Sequence, residues 1–111
     1  MTDKTFNLLY GAALTSNDRD AYASDWALSS IWGESQEQSP EELFEVCSRV
    51  WDLAHLTIRD IREHLGLSQA AFATRFCIPR RTVEGWEAKD SAAPYIILLL
   101  AQAAGMTAGI R

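Results

Sequence analysis

Very little in this chain calls for an oxidising compartment, a membrane or a catalytic centre. Among 111 residues there are two cysteines, Cys47 and Cys77. They show no paired spacing, so no disulfide framework is expected. Cys47, His55, His64 and Cys77 are the one conceivable zinc set, but it lacks the close pairs that zinc sites use, and no metal is expected. The longest apolar run, Tyr95 to Ala101, is far shorter than the roughly 20 residues a spanning helix needs. Met1 to Leu14 has no charged segment leading into a long apolar core, so no signal peptide is read there. These absences point to a cytoplasmic protein with no membrane partner. His55 and His64 have no nucleophile at a motif spacing, and no glycine loop is arranged to cradle phosphate. Neither an enzymatic activity nor a cofactor is expected. No strand-like alternation or internal repeat is present, which makes the chain all-α.

What is present is enough apolar material for a core, 48% of the residues, and a charge that is unevenly divided. Residues 1–55 carry three basic and ten acidic side chains, a net −7, whereas residues 56–111 carry seven basic and five acidic ones, a net +2. The overall −5 therefore hides a mildly basic half able to approach phosphate and an acidic half that should face away from it. A division into an acidic helical region over 1–55 and a second domain over 56–108 follows.

In the acidic half, residues 1–16 read as a loose lead-in, anchored by Phe6, Leu8, Leu9 and Tyr10. Asn17 or Asp18 can cap a helix reaching Trp32 and closed by Gly33. Within it Trp26, Leu28, Ile31 and Trp32 call for burial. Glu34 to Ser39 is polar and reads as a linker. Ser39-Pro40-Glu41-Glu42 is a strong helix start, with a cap, a proline in the first turn and acids at the positive end of the dipole. The helix over 40–54 carries two apolar stripes, Leu43/Val46/Val50/Leu53 and Phe44/Cys47/Trp51/Ala54. Glu41, Glu45, Ser48, Arg49 and Asp52 are left for a narrow polar face, so this helix should pack between neighbours or at a dimer contact.

The basic half holds the most informative stretch. Thr57 can cap a helix that turns Ile58, Ile61 and Leu65 inward and ends at Gly66. Ser68 caps the next, in which Ala70, Ala73 and Phe76 recur at steps of three beside Phe72. Ala73 is small where a second helix would cross closely. A turn, Cys77-Ile78-Pro79, leads into a further helix whose Val83 and Trp86 point inward, leaving Arg80, Arg81, Glu84 and Gly85 outside. Two short helices joined by a three-residue turn, the second opening on two guanidinium groups, suit entry into a DNA major groove. An apolar helix over Tyr95 to Ala104 follows Pro94.

The residues Leu67-Ser68-Gln69, Phe72-Ala73, Phe76, Ile78-Pro79-x-Arg81-Thr82-Val83 and Trp86-Glu87, followed by Pro94-Tyr95, carry a family resemblance. From about Thr57 to Met106 the chain resembles the XRE-type, phage-repressor-like helix-turn-helix domain of bacterial and phage regulators. The resemblance implies a five-helix domain, here with additional N-terminal helices, that binds double-stranded DNA as a sequence-specific transcriptional regulator, typically a repressor. It implies base contacts from Arg80, Arg81 and Thr82, and phosphate contacts from Ser68, Gln69, Lys89 and Ser91. Phe72, Ala73, Ile78, Val83 and Trp86 would form the core of the motif. In lookalikes the last helix completes the core or forms the seam of a homodimer. Three positions depart from the pattern. Cys77 stands where Gly or Asn is usual, Gly85 replaces a side chain that often reads bases, and the loop Ala88 to Ala93 holds a single lysine. A competing reading is an antitoxin-like or other protein-interaction module that grips a protein partner through the acidic half. The pair Arg80 and Glu84, four residues apart, also suits a plain solvated helix face.

Overall fold

The computed structural model describes every residue except Ser35, and seven α-helices with one short 3-10 turn make up the described chain: α1 Asp3–Leu14, α2 Arg19–Ala27, the turn Ser30–Trp32, α3 Pro40–Ala54, α4 Ile58–His64, α5 Gln69–Phe76, α6 Arg80–Lys89 and α7 Pro94–Ala103. The protein is all-α. No described helix is long and apolar enough to cross a membrane. The chain divides into two compact units, residues 1–55 with 107–111 and residues 56–106.

In the first unit α3 packs against both α1 and α2. The expected loose lead-in is instead a capped helix. Thr2 accepts the Thr5 amide at 3.1 Å, and Phe6, Leu9, Tyr10 and Ala13 are buried at helical steps. What looked like one isolated anchor is a full apolar stripe, which α3 gives a partner. The helix expected over 18–32 stops at Ala27. Ser29 turns extended and caps the 3-10 turn, and the Trp32 indole donates to the Trp26 carbonyl at 2.9 Å. Leu28, expected inside, is consequently left in solvent, while Trp26, Ile31 and Trp32 are half-buried. The linker expected over Glu34–Ser39 includes Ser35, which lies outside the described residues.

Ser39 and Glu42 close a reciprocal capping box at the start of α3, with Pro40 in its first turn. The apolar stripe Leu43, Cys47, Val50 and Leu53 is buried. Ser48 is buried with it rather than lying on the polar face, and its hydroxyl has no hydrogen-bond partner among the described residues. A side chain this small fits a close approach that a strictly apolar periodicity does not reveal. Tyr22 donates to the Leu9 carbonyl at 2.6 Å, and Arg19 grips Asp52 through two bonds of 2.8 and 2.9 Å. Residues 107–111 belong to this unit rather than to the helix-turn-helix. Arg49 donates to the Ala108 carbonyl at 2.6 Å, Ile110 is buried, and the Arg111 guanidinium lies 4.5 Å from the centre of the Phe6 ring.

The second unit holds four helices, α4 to α7, where five were expected. Only Asp90 to Ala93 separate α6 from α7, and Pro94 opens the last helix at once, leaving no room for a further element. All four helices end in the same way. Gly66, Cys77, Asp90 and Gly105 take positive φ, and the next amide reaches back to a carbonyl five residues earlier, as in Ile78 to Ala73 at 2.9 Å. Such left-handed closures satisfy carbonyls the helix would otherwise leave open.

Candidate nucleic-acid interface

The geometry of the second unit begins at α4. Thr57 and Asp60 form a capping box, and Ile58 and Ile61 are turned into the core. That leaves Arg59 and Arg62 on a face toward α6, with which α4 packs. There they meet Glu87. The Arg62 guanidinium holds the Glu87 carboxylate at 2.9 and 3.1 Å and gives a third bond, 3.1 Å, to the Leu67 carbonyl. Arg59 adds a bond of 3.3 Å, and the Gln69 side chain contributes further stabilisation of the carboxylate. The Glu87 side chain is 2% exposed and that of Arg62 17%. Hydrogen bonding from Arg62, and then from Arg59 and Gln69, holds the Glu87 carboxyl below the usual carboxylate range despite its burial. One acid thus ties together the start of α5, the end of α6 and the face of α4.

On this frame α5 and α6 pack against each other. Ser68 caps α5 by accepting the Ala71 amide at 3.1 Å. Phe72, Ala73 and Val83 are buried, and the Phe72 and Phe76 rings meet at 4.8 Å. Ile78 and Trp86, expected in the motif core, are only half-buried: Ile78 lies in the turn before α6 rather than in a helix, and Trp86 in the second half of α6. The chain reverses at Cys77, whose φ of 55° is left-handed. A Cβ in that region costs roughly 1–2 kcal/mol. Cys77→Gly is therefore expected to raise stability by about 0.5–1 kcal/mol, part of the relief being offset by glycine's freedom in the unfolded chain. Chemical denaturation checks it; a loss of stability would show that the thiol makes a contact worth more than the strain.

Helix α6 starts after Pro79 with no side-chain cap. Arg80 and Arg81 occupy its first turn and are exposed. Arg80 reaches along the helix to Glu84 at 2.9 Å, a solvent-exposed pair of the kind worth about 0.3–0.5 kcal/mol. Arg81 forms no salt bridge among the described residues. Thr82 is half-buried behind them, its amide bonded to the Pro79 carbonyl at 2.9 Å. Gly85 faces open space, with nothing among the described residues within 4 Å of where a Cβ would lie, so packing does not require glycine there. Lys89 ends α6, and Ser91 follows in the loop, both exposed. Of six cations over residues 56–106, Arg59 and Arg62 are committed to Glu87 and Arg80 is lightly held. Arg75, Arg81 and Lys89 form no salt bridge among the described residues.

Residues 58–109 match a family model described as Helix-turn-helix. That segment, a little under half of the chain, is similar to the helix-turn-helix family. The match is to the XRE type, a family of DNA-binding regulators, and α5 and α6 lie within the matched residues. Comparison with curated proteins and with solved structures finds no match.

The residues the sequence reading left without a role are Arg59, Arg62 and Arg75. For the first two, the only available signal was a pair of arginines three apart on α4. Nothing in their spacing names Glu87, 25 residues from Arg62, as the partner. Arg75 sits in the last turn of α5, where a lone arginine reads as an ordinary C-terminal cation. Cys47 takes no part. Burial pushes its thiol up to about 11, and such a thiol stays protonated and inert. Among the described residues no group of histidines, cysteines and acids is placed to hold a metal ion.

Proposed function

We infer that this chain is a sequence-specific transcriptional regulator that represses by occupying an operator, with α6 in the major groove. The single observation carrying this reading is Arg81, exposed in the first turn of α6 and in no salt bridge among the described residues. An unengaged guanidinium at the leading end of a short exposed helix suits bidentate bonding to a guanine edge. Arg80 joins it once the Glu84 pair yields to a stronger acceptor, and Thr82 lies beside them. Lys89, Ser91 and the Ser68 end of α5 are assigned to phosphates. Gln69, at the first position of α5, has two amide hydrogens and is assigned to a phosphate as well. Tyr95 and Leu99, one turn apart on α7 and 68% and 61% exposed, support a two-fold dimer on paired half-sites.

The test begins with selection of a preferred site from random duplexes. Arg81→Ala should then cost about 1–3 kcal/mol on that site and less on random DNA. Lys89→Ala should weaken binding to all sequences and lower the salt slope by about one unit. Equal losses on both kinds of DNA would reduce Arg81 to a phosphate contact. Failure to select any site would end the regulator reading.

A further inference from the structure

Helices α2 and α3 leave a groove of about 340 Å³ at one end of their contact, lined by Ser24, Ala27, Leu28, Pro40, Glu41 and Phe44. Leu28 is 80% exposed, the most exposed large apolar side chain among the described residues. Its position is fixed rather than frayed. Its amide closes α2 on the Ser24 carbonyl, and Ser29 immediately caps the following 3-10 turn. Phe44 is half-buried in the same groove. An apolar side chain pinned open beside a half-covered ring is the arrangement of an anchor site awaiting a partner.

The groove is also acidic. No lysine or arginine lines it, and Glu41 stands on its lip. Glu45 lies one turn further along α3, and Asp20 one turn before Ser24 on α2. All three acids are exposed, and none forms a salt bridge among the described residues. The nearby cation, Arg19, is held bidentately by Asp52 and also attracts Asp20 and Glu45 more weakly, so Glu41 is the acid it offsets least. We propose that this groove docks a basic amphipathic segment of another protein. One bulky apolar side chain would seat against Ala27, Leu28 and Phe44, while flanking lysines or arginines meet Glu41, Glu45 and Asp20. Charge chooses this occupant. A second copy presenting the same face would set one −7 half against another, and phosphate or an anionic lipid surface would be repelled. A small molecule would need several converging polar groups, which the lining does not supply. The proposal does not rest on DNA binding.

The probe is an amidated amphipathic helical peptide with leucines at steps of three and four and lysines elsewhere, titrated into the full ¹⁵N-labelled chain. Binding in the micromolar range should shift the amides of Ala27, Leu28, Glu41 and Phe44. Leu28→Ser, and separately the double variant Glu41→Lys, Glu45→Lys, should each weaken it about tenfold, the 1.4 kcal/mol typical of one anchor. All these positions are on the surface, and far-ultraviolet circular dichroism will confirm that the variants are folded. A small drop in thermal midpoint is expected from Glu41→Lys at the positive end of α3. Absence of shifts at millimolar peptide overturns the proposal. So does undiminished affinity in Leu28→Ser, which would reduce the effect to bulk charge attraction. Shifts of the same amides on concentrating the protein alone would assign the groove to a second copy instead.

Discussion

Glu87→Ala is expected to unfold the helix-turn-helix unit under conditions the unaltered protein tolerates, at a cost of about 3–5 kcal/mol. The carboxylate is almost wholly buried between Arg62, Arg59 and the Gln69 amide. Removing it leaves the Arg62 guanidinium, itself mostly covered, without its counter-charge. Glu87→Gln should be milder, since an amide can still accept from Arg62. Replacing both partners, Arg62→Met with Glu87→Leu, should recover most of the loss, because the uncompensated charge is then gone. The same contact sets an acid dependence. With its folded value held below that of the unfolded chain, Glu87 contributes stability in full above the unfolded carboxylate value, about 4.3. The contribution fades as pH falls through the lower folded value. Hydrogen exchange on the amides of α4 and α6 reports this unit selectively. A Glu87→Ala variant within 1 kcal/mol of the parent would refute the keystone role.

Phe72→Ala should cost about 3–5 kcal/mol, the range for emptying a buried phenyl site. Phe72 is fully buried on α5 against Phe76, in the unit where Val83 of α6 is also fully buried. DNA binding should fall only as far as the folded fraction falls, because the ring itself is shielded from any ligand. Phe72→Leu, which keeps most of the volume, should restore both together. If Phe72→Ala kept its thermal midpoint yet lost DNA binding, Phe72 would be acting on the interface and not through the core.

How much of this was legible beforehand depends on how local each cause is. The starts of α3, α4 and α5 could be read because their determinants lie within four residues: Ser39-Pro40-Glu41-Glu42, Thr57 and Ser68. The helix-turn-helix could be read because its pattern spreads over many positions between Leu67 and Glu87. The need for positive φ at Cys77 was visible as a departure from the usual Gly or Asn. Helix α1 was missed because Phe6, Leu9, Tyr10 and Ala13 only mean burial once α3 is known to lie beside them. The end of α2 at Ala27 was missed because an indole six residues away, that of Trp32, takes the Trp26 carbonyl.

Composition, spacing and capping residues by themselves determined that the chain is all-α, that its two halves differ in charge, and that its basic half carries a helix-turn-helix. Those are properties of neighbours along the backbone, where hydrogen bonds, caps and helical periodicity act over a few residues. Tertiary structure alone decided that Glu87 gathers Arg59, Arg62 and Gln69, that Ser48 is buried and Leu28 is not, and that residues 107–111 join the first unit. Each of these depends on groups far apart in sequence meeting in space, and the energies involved, burial and ion pairing, exist only after they have met.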